Sequence, residues 1–195
     1  VNRIRTILKH TKVLLSISAI LIIILNIKDI NWASNLISFI WIVFSIVWWA
    51  FDNFLWKCKC INKVLKLNKA LYCPKINGRW EGTLNRDGKN HKFVIEIKQT
   101  YTNISCVAYS TNSYSKSLCA ELLYDQQNDS HSLVFLWQGK TSKNPKGQDE
   151  PSNYFNGTTI LTISDNCNSL TGNYFTDRNP KQTKGTIILN TRQDI

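Results

Sequence analysis

Residues 91–99 read HKFVIEIKQ, and their alternation decides the fold. Phe93, Ile95 and Ile97 alternate with Val94, Glu96 and Lys98, the period of two expected of a strand with one face toward a core. Leu118, Ala120, Leu122 and Tyr124 alternate in the same way with Cys119, Glu121, Leu123 and Asp125. Outward from these segments the pattern predicts strands at 78–85, 91–99, 103–110, 117–125, 132–138, 155–163, 169–176 and 185–191. Turn chemistry fills the gaps, as in Arg86-Asp87-Gly88, Asn112-Ser113, Gln127-Asn128-Asp129, Ser164-Asp165-Asn166 and Arg178-Asn179-Pro180. Eight short strands with no helix-length insert predict an antiparallel eight-stranded up-and-down β-barrel, with a β-sandwich as the alternative. Such a barrel is filled by side chains or holds one small ligand. The long polar connection at 140–153 is expected at its rim.

The chain before these strands has a different character. Residues 30–51 contain no charged side chain, and these twenty-two residues at about 1.5 Å each reach roughly 33 Å, enough for a hydrocarbon core of about 30 Å. Trp32, Trp48, Trp49 and Trp56 lie near the ends of the stretch, where indoles favour the headgroup region. Upstream, residues 13–27 are apolar and extend through Ile7 and Leu8, with Lys9 and Lys12 snorkelling toward headgroups. The expected architecture is a hairpin of two transmembrane helices, about 7–27 and 30–51, within residues 1–56. A basic juxtamembrane linker, 57–74, follows as a continuation of the second helix or as a solvated helix, and the barrel occupies 75–195.

Charge divides along the same line. The chain carries 24 Lys+Arg against 13 Asp+Glu, a net +11. Residues 1–69 hold ten basic and two acidic side chains (+8), leaving fourteen and eleven (+3) for 70–195. Arg3, Arg5, Lys9 and Lys12 precede the first span, and Lys57, Lys59, Lys63, Lys66 and Lys69 follow the second. The positive-inside rule then puts both the N-terminus and the barrel on the cytoplasmic side. The excess charge belongs to membrane flanks, so no DNA or RNA polymer is expected as a partner.

Catalytic patterns are scarce. His10, His91 and His131 lack metal-ligand spacing, and the six cysteines contain no CxxC pair, so no metal, cofactor or enzymatic activity is expected. Gly139-Lys140-Thr141 imitates the end of a phosphate loop, but position 134 is Val where the earlier glycine is required. The least ordinary stretch is LTGNYFTDR, 170–178, which sets an aromatic pair beside a hydroxyl, a carboxylate and a guanidinium. Arginine's planar fork suits phosphate and aromatic rings stack on bases. The alternative is a strand end whose Asp177 and Arg178 pair in a turn. Gly78-Arg79-Trp80 resembles the Gly-x-Trp opening of lipocalin-like barrels, which favours Trp80 as a structural plug over a ligand platform and makes Arg192 a candidate for its basic cover. Trp137 and Phe135 also read as core.

The basic N-terminus, the two apolar spans, GRWEGTL at 78–84 and LTGNYFTDR at 170–178 together resemble one bacterial family. It is the SMODS-associating two-transmembrane, β-strand-rich (2TM-β-barrel) effector family of cyclic-oligonucleotide-based antiphage signalling (CBASS). The resemblance implies a membrane effector of antiphage defence in the bacterial inner membrane. Its cytoplasmic barrel would bind a cyclic dinucleotide, self-associate into oligomers and disrupt the bilayer, leading to cell death or growth arrest. By the same resemblance Tyr174, Thr176 and Arg178 become ligand contacts. Ser105, Tyr109 and Ser113 join them as polar positions of a strand and turn expected to face the cavity. Two other readings stand beside it: a membrane-tethered, lipocalin-like carrier of an apolar small molecule, and an anchor that recruits a protein partner.

Overall fold

The period-two segments of the sequence all become strands: β1 (Gly78–Arg86), β2 (Lys89–Gln99), β3 (Ile104–Ser110), β4 (Ser113–Asp125), β5 (Ser130–Thr141), β6 (Tyr154–Ile163), β7 (Leu170–Thr176) and β8 (Lys184–Gln193). The computed structural model describes residues 17–18, 31–69, 71–111, 113–141, 154–177 and 182–193. Every strand pairs antiparallel with the next, and β8 returns to β1, so the sheet closes into an eight-stranded up-and-down barrel. Closure rules out the sandwich.

Local chemistry explains the hairpins. Asp87 (φ 51°) and Gly88 (φ 75°) both occupy the left-handed region, as a two-residue turn between paired Arg86 and Lys89 requires. At the β4–β5 turn Asp125 accepts from the Gln127 N–H at 2.9 Å and from the Asn128 side-chain amide at 2.8 Å. These hydrogen bonds, the Asn128 one first, hold its carboxyl below the usual carboxylate range.

The barrel interior is apolar through most of its length, with Ile95, Ile97, Leu133, Leu161, Leu170, Ile187 and Leu189 fully or almost fully buried. Glycines allow strands to meet where a side chain would not fit. A Cβ at Gly172 would overlap the Ile160 carbonyl, and one at Gly82 the Ile188 carbonyl.

Strand β4 departs from expectation. It begins at Ser113 rather than 117, and a register shift falls between Ser117 and Cys119. Before the shift Ser113 and Ser115 pair with inward Ser110 and Ala108, and Ser117 with Trp137. After it, Ala120 and Leu122 pair with buried Phe135 and Leu133. The extra residue is Leu118, which is 63% exposed instead of joining the inward set. A bulge resets which face a strand presents, and alternation alone does not reveal it.

The chain divides into two units, Val1–Tyr72 and Cys73–Ile195. In the first, α1 (Asn31–Asn53) is a 23-residue helix. Its stretch Asn35–Asn53 is long and apolar enough to cross a membrane, and none of it is buried within the protein. Large apolar side chains are exposed along it, from Trp32 and Leu36 to Phe44 and Trp49. A helix apolar on every side belongs in a protein core or a bilayer. The other half of the expected hairpin, 7–27, lies outside the described residues except for Ile17 and Ser18, which are helical. Beyond α1 the helix does not simply continue. A 3₁₀ turn (Leu55–Lys57) and an extended Cys58 (φ −65°, ψ 139°) separate it from α2 (Lys59–Leu65).

Replacing Gly172 by Ala is expected to lower barrel stability by about 2–3 kcal/mol, because the new Cβ must push β6 away. Chemical denaturation of the detergent-solubilised chain, followed by Trp fluorescence, measures it.

Candidate ligand-binding site

The two ends of the barrel are built differently. One end is plugged by Trp80, whose relative exposure is 0%. The Arg192 guanidinium lies 5.5 Å from the centre of the indole, the cationic cover expected from the sequence. Trp80 Nε1 donates to the Ile76 carbonyl at 2.9 Å, and Arg192 Nη1 donates to the Lys75 carbonyl at 2.9 Å. Buried Gln99 completes the seal. Its carbonyl accepts from the Ile76 N–H and its amide donates to the Pro74 carbonyl, each at 2.9 Å. Cys73 and Pro74 are fully buried and belong to the barrel unit, which starts two residues before the expected boundary at 75.

Polar inward positions gather at the opposite end, where the β1–β2, β3–β4, β5–β6 and β7–β8 connections lie. Tyr174 of β7 faces inward between Thr159 and Gly185. Its ring fits because a Cβ at Gly185 would stand 2.8 Å from Tyr174 Cε1. Thr159 accepts from Trp137 Nε1 at 2.9 Å, and Trp137 meets Phe155 edge to face at 5.7 Å. Trp137 and Phe135 are both core, as expected.

Thr176 is the next inward residue. Its Oγ1 accepts from the Thr183 N–H at 3.0 Å and lies 2.7 Å from Thr183 Oγ1, pinning the two sides of the β7–β8 connection together. Asp177 accepts from the Asn156 N–H at 2.7 Å and from its side-chain amide at 3.0 Å. That engagement anchors the chain immediately before Arg178, which itself lies outside the described residues.

Across the mouth, Ser113 faces inward as expected and is half-buried. Ser105 and Tyr109 do not. Buried Ile104, Cys106 and Ala108 fix the inward set of β3, so Ser105, Val107 and Tyr109 lie on the outer face. Tyr109 packs there against Tyr114, ring centres 5.6 Å apart. Neither Ser105 nor Tyr109 lines the interior.

Register reveals other residues that sequence reasoning passed over. Ser110 and Ser115 flank Ser113 on the inward lane of β3 and β4, both half-buried. Arg86 follows Trp80, Gly82 and Leu84 on the inward register of β1 and is half-buried. Counting in twos from Trp80 would have found it, but Arg86-Asp87-Gly88 was attractive as a turn. Among the described residues no cluster of His, Cys, Asp and Glu is able to hold a metal ion.

An eight-stranded barrel plugged at one end and lined with hydroxyls at the other is the architecture of a receptor for a small polar ligand. Residues 71–191 match the family model described as Cap15, cyclic dinucleotide receptor domain, and the chain belongs to that family. A CD-NTase-associated protein 15 from Staphylococcus schleiferi is 27% identical over 161 residues, covering 80% of each chain. Another, from Escherichia albertii, is 27% identical over 156 residues and 74% of each chain. The resemblance to the CBASS effectors read from the sequence is thereby borne out.

Burial pushes the Cys106 thiol up to about 12, whereas Cys58, Cys60 and Cys119 are exposed. In native protein near pH 8, iodoacetamide should label those three while Cys106 stays unmodified until the barrel is denatured. Peptide mass spectrometry reads the difference.

Proposed function

We propose that the chain is a membrane-anchored effector of antiphage defence whose barrel takes a cyclic dinucleotide at its open end. The hydroxyl-lined mouth opposite the Trp80 plug, within the segment matched to the receptor domain, is the observation that carries this reading. Tyr174, Thr176, Arg178 and Ser113 are the proposed contacts: a ring to stack on a base, hydroxyls for neutral hydrogen bonds, and a guanidinium for phosphate. An apolar carrier would want an apolar lining at the mouth, and Ser110, Ser113, Ser115 and Thr176 argue against it.

Five lysines, Lys57, Lys59, Lys63, Lys66 and Lys69, follow α1. They favour retention of that side in the cytoplasm, where a cyclic dinucleotide second messenger is made. Ligand drives the output by binding an assembled state better than the single chain, which shifts the population toward oligomers. Clustering of apolar helices such as α1 then damages the inner membrane.

Calorimetry on the full chain in lipid nanodiscs, against a panel of cyclic dinucleotides, tests the reading. At least one should bind, and Arg178→Ala should weaken it by about 10- to 100-fold, the worth of a charge-assisted hydrogen bond. Absence of binding across the panel would end the proposal. Light scattering of the detergent-solubilised chain should show its mass rise when that nucleotide is added; an unchanged mass would remove self-association from the account.

A further inference from the structure

The mouth divides its chemistry between strands, and that division points to how a ligand sits in it. Ser110, Ser113 and Ser115 occupy consecutive inward positions of the β3–β4 hairpin, and all three are half-buried. No hydrogen bond to any of their hydroxyls is present among the described residues. Ser117, one step deeper, is different: its Oγ accepts from the Cys106 N–H at 2.9 Å, replacing a ladder bond where the β3–β4 pairing stops. The three outer hydroxyls are therefore half-withdrawn from water and uncommitted among the described residues. A hydroxyl in that position favours a polar partner.

The cations lie on other strands. Among the described residues, Arg86 and Lys89, paired across the β1–β2 turn, are the basic side chains on the inward register at this end. Lys92, Lys116, Lys140 and Lys184 fall on the outward register, and Lys140 lies 5.4 Å from the Tyr154 ring centre. Arg192 is occupied at the plugged end. Arg86 is half-buried and makes no hydrogen bond or ion pair among the described residues, not even with neighbouring Asp87. On the other edge of β1, Asn85 pairs with Thr186, next to the Gly185 against which Tyr174 rests. Arg86 thus stands beside the Tyr174 wall.

We infer that Arg86 is a phosphodiester anchor and that Ser110, Ser113 and Ser115 read the edge of a nucleobase, so that the charge and the base of the ligand are held by different strands of the mouth. This rests on the cyclic dinucleotide reading above and adds which side chains hold which part of the ligand. Electrostatics decides the assignment. An anionic phosphate stripped of water needs a cation, and the serine lane supplies none, whereas a neutral base needs only donors and acceptors. Hydroxyls supply both.

Two variants separate the roles in the full chain in nanodiscs, using calorimetry with several cyclic dinucleotides at low and high salt. Arg86→Gln should weaken every ligand by about 10- to 100-fold and flatten the salt dependence, with Arg86→Lys keeping it. Ser115→Ala should change the ratio of affinities between ligands of different bases by about 3- to 10-fold at unchanged salt dependence. Ser117→Ala is the structural control, lowering the melting temperature without altering base preference. Wild-type affinity in Arg86→Gln, or a uniform loss with a flattened salt response in Ser115→Ala, overturns the inference while leaving the receptor reading intact. Failure of the wild-type chain to bind any of the nucleotides overturns both.

Discussion

Strand β1 pairs on both of its edges, with β2 on one side and β8 on the other, and the rest of the barrel depends on that double pairing. A sheet that closes leaves no edge of unsatisfied N–H and C=O groups. Closure here needs β8 to come very near β1, and Gly82 permits it by offering no side chain against the Ile188 carbonyl. The register shift between Glu81 and Gly82 marks the same meeting point. Immediately beside it Trp80 faces inward, so the strand that completes the ring also carries the plug.

From that arrangement follows a division of labour between the two ends. At the plug, polar groups that help form it are consumed by one another: the Gln99 amide spans Ile76 and Pro74, the indole N–H reaches Ile76, and Arg192 covers the ring while bonding Lys75. At the mouth, Ser110, Ser113 and Ser115 make no such hydrogen bond among the described residues, and the aromatic pair Trp137 and Phe155 packs on β5 and β6, the next strands round from β4. The bulge at Leu118 separates these regimes within β4, turning a serine lane above into Ala120 and Leu122 below. Rigidity is concentrated where the chain must hold, and chemical openness where a ligand would enter.

Most of this was legible because one physical signal, alternation with a period of two, survives in all eight strands. The turns were equally plain, since Asp87-Gly88 needs positive φ at both positions and the sequence provides residues that tolerate it. Arg192 over Trp80 was readable from the likeness of GRW to other barrels, and the contact at 5.5 Å agrees. The failures also have causes. Leu118, Ala120, Leu122 and Tyr124 alternate without interruption, so nothing local announced that Leu118 is an inserted residue. Ser105 and Tyr109 were chosen for polarity, although buried Ile104, Cys106 and Ala108 already fixed the opposite face as interior. The sequence leaves the 57–74 connector open between a continued and a separate helix, and the extended Cys58 that separates α1 from α2 is not marked by propensity.

The chain enters the barrel at Cys73 and β8 finishes beside it, with Arg192 reaching the Lys75 carbonyl across 117 positions of sequence. The lead into the barrel thus sits at the plugged end, whereas the strands at the mouth are joined to one another by hairpin connections. Those connections can lengthen, shorten or exchange residues without disturbing closure or plug. A lineage of such barrels is free to vary its mouth while keeping the same plug and scaffold. The stopper is less free: because residues 73–77 are part of it, transplanting the barrel to a new N-terminal segment must bring that pentapeptide along.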